Sequence, residues 1–296
     1  MMSARFLTVV LERAFNMRDG FGREIDYMRI SVIDSCNLNC YYCNPCGNNE
    51  HCHALNILSV KEVLCIVRAA TRLGIKHFRL TGGEPLLHPQ LDEMVLQIKK
   101  IPGVSSVSLT TNAVLLAQHA KWLKEAGIDS INVSLDTIDA SEYERITKKP
   151  LLEEVKHGIN AAIECGIRVK INVVLTPQTD VVALTRYVAK KGTDIRFIEM
   201  MPVGEGHTNG VEPYKKVIGT LSKLYGEPCR INTEKTKEIN SGNDKREIPD
   251  NGPAEYYIFP ELGIRVGLIQ AIHGKFCDTC NRIRVTADGR LMPCLG

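Results

Sequence analysis

Eight of the eleven cysteines in this 296-residue chain fall into two groups. Cys36, Cys40, Cys43, Cys46 and Cys52 crowd near the start, and Cys277, Cys280 and Cys294 near the end. Cys36-x-x-x-Cys40-x-x-Cys43 follows a β-branched run, so it occupies a loop beyond a strand, where parallel α/β folds carry their chemistry. Three thiolates suit a 4Fe–4S cluster whose fourth iron has no protein ligand, free to chelate a small molecule and pass an electron into it. A zinc knuckle is the alternative. Zinc wants four ligands, and Cys46, His51, Cys52 or His53 can supply the fourth. The scattered Cys65, Cys165 and Cys229 read as small apolar fillers.

Thr81-Gly82-Gly83-Glu84-Pro85 stands at the tip of the next strand. The two glycines allow close backbone approach without a side-chain collision, and a carboxylate there can hold an ammonium group. Near the C-terminus, Cys277-x-x-Cys280 and Cys294 repeat the three-thiolate pattern. An incomplete zinc site, or a four-ligand cluster completed by Cys229, is the alternative. Arg282 and Arg284 alternate on one strand face beside that trio, a natural anion-binding floor. Arg29, Arg79 and Lys170 lie on other strand patterns. Together these five cations favour a polyanionic substrate: unit charges 4 Å apart interact by ~4 kcal/mol at an effective dielectric near 20.

The elements that must position these residues form a series. Strand patterns at residues 27–33, 77–80, 104–110, 130–135, 168–175 and 195–199 alternate with helical patterns at 59–72, 90–100, 117–126, 152–165 and 180–190. Six βα-type repeats with short connections predict a partial (β/α)6 TIM-like barrel. After residue 205 the pattern changes to a helix near 214–224, a polar stretch at 234–252 and short strands near 256–259, 265–269 and 282–287. The chain therefore divides into an N-terminal extension (1–25), a barrel (26–205) and a smaller C-terminal α+β domain (206–296) carrying the second cysteine group. Thirty-seven Lys and Arg against 34 Asp and Glu leave +3, too balanced for a nucleic-acid partner. No apolar run approaches a membrane span. Phe6–Leu11 is too short for a signal-peptide core, so the expected location is cytoplasmic.

Three cysteines one βα unit upstream of Gly-Gly-Glu-Pro resemble the radical S-adenosylmethionine enzymes. The likeness extends further, to the GTP 3′,8-cyclase (MoaA) family. It covers Phe21-Gly22-Arg23, Asp26–Val32, Phe78–Leu86, Ile131–Asp136, Ile195–Gly204 and Phe276–Leu295. The resemblance implies two 4Fe–4S clusters, held by Cys36, Cys40 and Cys43 and by Cys277, Cys280 and Cys294. It implies S-adenosylmethionine contacts at Tyr42, Gly83, Ser134 and Met201, with Glu84 in the motif that supports the ammonium. GTP contacts fall on Arg29, Arg79, Thr110, Lys170, Arg282 and Arg284. A 5′-deoxyadenosyl radical would take the C3′ hydrogen of GTP, and C3′ would add to C8, the first step of molybdenum-cofactor biosynthesis. The implied partners are GTP, a low-potential electron donor and the cyclic pyranopterin monophosphate synthase that receives the product; a homodimer is left open. The two cysteine trios are expected to face each other across a positively charged cavity.

The chain departs from the family in three places. The family continues past the last cysteine into a double-glycine tail, whereas here the sequence stops at Leu295-Gly296. Asn44-Pro45-Cys46-Gly47 replaces the usual Met-Pro stretch, which leaves Cys46 as a spare thiol. Leu87-His88-Pro89 and Asn112-Ala113 stand where the family has basic residues and Asn-Gly. These traits are shared with radical enzymes that modify peptides, the alternative reading, and a truncated non-catalytic iron–sulfur protein is the other.

Overall fold

Strand after strand in the first two-thirds of the chain alternates an apolar with a polar side chain, and this parity decides which face meets the helices. A computed structural model describes residues 17–43, 56–202, 210–231 and 252–294. In chain order it begins with β1 (Tyr27–Ser31), α1 (Val60–Arg72), β2 (His77–Thr81), α2 (Leu91–Lys99), β3 (Ser106–Thr111) and α3 (Leu116–Glu125). Then come β4 (Ser130–Ser134), α4 (Ala140–Thr147), α5 (Leu152–Glu164), β5 (Arg168–Val174), α6 (Val181–Lys190) and β6 (Asp194–Ile198). The C-terminal part adds α7 (Gly219–Tyr225), β7 (Cys229–Ile231), β8 (Glu255–Ile258), β9 (Arg265–Ile269), β10 (Arg282–Val285) and β11 (Leu291–Met292).

Met28, Ile30, Phe78, Leu80, Val107, Leu109, Ile131 and Val133 are all buried in one core with the apolar faces of α1, α2, α3 and α5. Local signals start these helices. Ser59 and Glu62 form a reciprocal capping box at α1, and Asp139 and Asp180 cap α4 and α6. The helix α4 has no counterpart in the periodicity reading: with eight residues and few apolar positions it is announced only by Asp139.

The six expected parallel strands are present in the order β1-β2-β3-β4-β5-β6. The C-terminal strands do not build a sheet of their own. β10 adds in parallel beside β1 and β9 in parallel beside β6, while antiparallel β11, β8 and β7 finish the two edges. One eleven-stranded sheet results, with the terminal cysteines at one edge and Cys229 at the other. Cys229 thus lies on the edge strand opposite to the one that leads to Cys294. The filler reading fails for two of the three scattered thiols: Cys65 and Cys229 are exposed, and only Cys165 packs against the core. Among the described residues no helix is long and apolar enough to cross a membrane. Residues 1–16, Cys46, His51, Cys52, His53, the boundary at 205 and nearly all of 234–252 lie outside the described residues.

Candidate active site

Beyond β1 the chain turns into the first cysteine loop, and the Gly-Gly-Glu segment fixes its course. Gly83 N–H donates to Ile33 C=O and Glu84 N–H to Ser35 C=O, both at 2.7 Å. A Cβ on Gly82 would lie 2.2 Å from the Ile33 oxygen, and one on Gly83 2.2 Å from the Ser35 oxygen. What the glycines admit is therefore the backbone leading into Cys36. Glu84 is 1% exposed. Its carboxylate accepts from Leu86 N–H (3.0 Å), Thr111 Oγ1 (2.7 Å) and Asn112 N–H (2.7 Å), tying the loop to the end of β3. Asn112, absent from the expected site residues, reaches the loop itself. Its Nδ2 donates to Asn37 Oδ1 at 2.7 Å and lies 3.8 Å from Cys36 Sγ. The other side of the loop rests on α4 through Asn39 N–H to Thr147 C=O (3.0 Å) and Tyr41 N–H to Ile146 C=O (3.1 Å). Tyr42 donates its hydroxyl to Asp136, which also accepts from Val174 N–H at 2.8 Å.

Cys36, Cys40 and Cys43 are unbridged, the middle one half-buried and the others exposed. Burial pushes all three thiols up, and the Glu84 carboxylate adds to this at Cys36 and Asp136 at Cys40 and Cys43. Cys40 is pushed up to about 12, with the other two thiols contributing. Burial likewise pushes Asp136 up to about 6. Three mutually coupled thiols beside two carboxylates resist ionisation alone and favour it around a cationic centre. That donor set fits a cluster with three protein thiolates and a positively charged ligand. Gly83, Ser134 and Met201 sit with Tyr42 at the C-terminal ends of β2, β4, β6 and β1, the rim where this loop lies. Gly83 and Ser134 are exposed there and Met201 is half-buried.

Below the rim, register gathers the expected cations. Arg284, Arg29 and Arg79 are direct neighbours on β10, β1 and β2, and Ser108 on β3 takes the Arg79 Nε–H at 3.0 Å. Tyr27 lies 5.6 Å from Arg79 and 5.5 Å from Arg282, each guanidinium over its ring. Burial, then the guanidiniums of Arg284, Arg79 and Arg282, push Arg29 well below the usual arginine range. Burial and Arg282 lower Arg284. Thr110, Asn132 and Lys170 form the next row on β3, β4 and β5. Asp194, opposite Lys170, takes Arg265 as its buried ion-pair partner.

Arg196 and Asn172 were not anticipated, although parity from Lys170 and Asp194 reaches both. They are paired by an Arg196 Nε–H bond to Asn172 Oδ1 at 2.9 Å. Thr110 Oγ1 and both amide atoms of Asn132 are sealed from water and have no hydrogen-bond partner among the described residues. Leaving such groups unsatisfied costs about 1–3 kcal/mol each.

The terminal trio sits at the other end of this face. A short turn at Cys277–Thr279 precedes β10, whose Arg282 is level with Tyr27 at the start of β1. The β10–β11 hairpin pairs Arg284 with Met292, so its register continues to Cys294 opposite Arg282. Arg284 feels both Cys294 and Cys280, and Arg23 feels Cys280 and Cys277. Arg23, a further unanticipated residue, donates to the Cys277 carbonyl at 2.6 Å. The trios thus lie at opposite ends of the inner face, with the strand rise from Tyr27 to Ser31, about 13 Å, between those ends.

A three-cysteine loop at the C-terminal rim of a partial parallel barrel defines the radical S-adenosylmethionine class, and a model described as Radical SAM superfamily matches residues 30–184. A second model, Molybdenum Cofactor Synthesis C, matches residues 193–296. GTP 3′,8-cyclase of Clostridium perfringens (strain SM101 / Type A) is 37% identical over 282 residues, covering 94% of this chain and 83% of that protein. The enzyme of that name from Pelotomaculum thermopropionicum is 38% identical over 283 residues, covering 94% and 84%. Among solved structures, Streptococcus suis SuiB bound to precursor peptide SuiA superposes with a TM-score of 0.66 at 14% identity. That match covers 98% of this chain but spans only 63% of SuiB, and it concerns the fold alone. The chain belongs to the GTP 3′,8-cyclase family of the radical S-adenosylmethionine superfamily, which implies a 4Fe–4S cluster and S-adenosylmethionine.

Proposed function

We propose that this chain converts GTP to (8S)-3′,8-cyclo-7,8-dihydroguanosine 5′-triphosphate in molybdenum-cofactor biosynthesis. The observation that carries this reading is the row of guanidiniums on the inner face between two thiol trios. When bound, the cluster and S-adenosylmethionine supply an electron and the primary carbon radical that removes hydrogen from the substrate.

The chain's own residues hold and aim. Cys36, Cys40 and Cys43 hold the first cluster, and Tyr42, Gly83, Ser134 and Met201 flank S-adenosylmethionine at the rim. Glu84, with its carboxylate engaged by Leu86, Thr111 and Asn112, serves as the positioning residue that keeps the Gly-Gly segment against the cysteine loop. Arg29, Arg79, Lys170, Arg282 and Arg284, with Thr110, take GTP. Neighbouring guanidiniums on this face repel one another, and a triphosphate offsets that repulsion. Residues 206–296 act as the second domain, whose Cys277, Cys280 and Cys294 hold an auxiliary 4Fe–4S cluster at the floor. A low-potential donor supplies electrons, the product passes to cyclic pyranopterin monophosphate synthase, and the setting is cytoplasmic.

Anaerobic reconstitution tests the reading. Two four-iron clusters give about eight irons per chain, with S-adenosylmethionine cleavage that depends on GTP. Arg282→Ala weakens GTP binding and leaves basal cleavage intact, whereas Cys40→Ala abolishes all cleavage. Stoichiometric zinc, or cleavage triggered only by a peptide, overturns it.

A further inference from the structure

Among the described residues, Thr110 Oγ1, Asn132 Nδ2 and Asn132 Oδ1 on the inner face are sealed from water without a hydrogen-bond partner, as is Arg29 Nε two strands away. Thr110 and Asn132 are directly paired residues on neighbouring strands β3 and β4. Asn132 is 1% exposed, and the amide offers a donor and an acceptor at once. A side chain that serves only the fold would have found partners, because buried polar groups are almost always paired. Here the missing partner must itself both donate and accept, and must sit beside a second hydroxyl-bonding group. Adjacent hydroxyls on a sugar meet that description; a phosphate, which only accepts, does not satisfy Oδ1.

Position agrees with chemistry. On β4, Asn132 lies two residues below the rim residue Ser134, and Lys170 stands opposite it on β5. A nucleotide lodged between rim and floor carries its ribose at this middle level. The sealed atoms open to a ligand only when side chains around them rearrange.

We propose that Asn132, beside Thr110, is the seat of the substrate ribose, its amide bonding the 2′-hydroxyl of GTP. This rests on the GTP reading and adds a residue that discriminates ribonucleotide from deoxyribonucleotide. Loss of a hydroxyl that a site is built to bond leaves the site's polar atoms unpaired, so the discrimination is large.

The test is equilibrium binding of GTP and 2′-deoxyguanosine triphosphate to the reconstituted holoenzyme, for wild type and Asn132→Ala, with thermal melting of both proteins free of nucleotide. Wild type should prefer GTP by about tenfold or more. Asn132→Ala should lose that preference, mainly through weaker GTP binding, with deoxynucleotide affinity nearly unchanged. Its nucleotide-free melting temperature should not fall, because the side chain removed makes no bond there. Equal loss for both nucleotides, or a variant that still discriminates, assigns Asn132 to the fold or to bound water and overturns the sugar contact alone. A wild type that binds GTP without preferring it also overturns that contact, whereas one that binds neither nucleotide takes the GTP reading down with it.

Discussion

Gly83→Ala should strip the first cluster from the protein while leaving in place the second one proposed at Cys277, Cys280 and Cys294. The new methyl carbon would stand 2.2 Å from the Ser35 oxygen and 2.4 Å from that of Asp34, against a floor of 3.0 Å for real contacts. Both obstacles are backbone, so no rotamer change relieves them, and the two loops must part by about 0.8 Å or more. Such a parting stretches the 2.7 Å bonds from Gly83 N–H to Ile33 C=O and from Glu84 N–H to Ser35 C=O beyond useful length. Two lost backbone bonds with partly buried ends cost about 3 kcal/mol, roughly 150-fold in the equilibrium that holds Cys36 in place. The assay is iron per chain after anaerobic reconstitution, with Gly20→Ala as control because nothing lies within 4 Å of that position. Iron should fall from about eight to about four per chain in Gly83→Ala and stay full in the control. Full iron with normal S-adenosylmethionine cleavage in Gly83→Ala would refute the packing role of this glycine.

Cys280→Ala should also lose about four irons, but from the opposite end, so basal S-adenosylmethionine cleavage persists while GTP dependence disappears. Arg265→Met leaves Asp194 buried without its partner, and urea denaturation should register a loss of about 3–5 kcal/mol. Ala113 lies at φ 65° and is buried. Ala113→Gly should therefore shift stability by no more than about 0.5 kcal/mol, relief of left-handed strain offsetting lost methyl burial and added chain entropy. Burial lowers His88, with Nε2 against the Leu58 carbonyl at 2.9 Å and Nδ1 accepting from Gln90 N–H at 3.1 Å. The unfolded chain then binds the proton more readily than the native one. The neutral-His88 contribution is full above about pH 6.5 and lost as pH falls toward the native pKa, so denaturation midpoints of His88→Asn should vary less than wild type between pH 7.5 and 5.5.

The parallel series was legible because it is local: each strand's parity, each capping Asp or Ser and each short connection lies within a few residues. The same parity placed Arg29, Arg79, Lys170, Arg282 and Arg284 on inward-facing positions, and carried two residues further it reaches Asn172 and Arg196. The pairing of Tyr27 with Arg282 was not legible, since a strand pattern says that a residue alternates but not which strand it will lie beside. Hence the sequence did not reveal that β9 and β10 of the C-terminal region pair with β6 and β1 at the two sides of the parallel series. Two of the positions that differ from the family have a local setting that only coordinates reveal. His88 is a buried staple at the turn following the Gly-Gly-Glu segment, and Ala113 occupies the left-handed position that suits glycine. Cys65 misled because a helical pattern carries no label for which face meets the core.

A closed eight-stranded barrel fills its interior with stacked branched side chains and gains stability from that core. Here the inward positions are Arg29, Arg79, Ser108, Thr110, Asn132, Lys170, Asn172 and Arg196, and the apolar burial lies between sheet and helices instead. The sheet also ends in antiparallel edges rather than closing on itself. An inner face this polar and this positive contributes little to folding by the hydrophobic effect and carries repulsion that folding must overcome. An anionic ligand lodged against this lining would offset that repulsion. The two thiol trios fall at the strand ends of this open sheet, and on the reading proposed above the substrate would take the place that a core fills in a closed barrel.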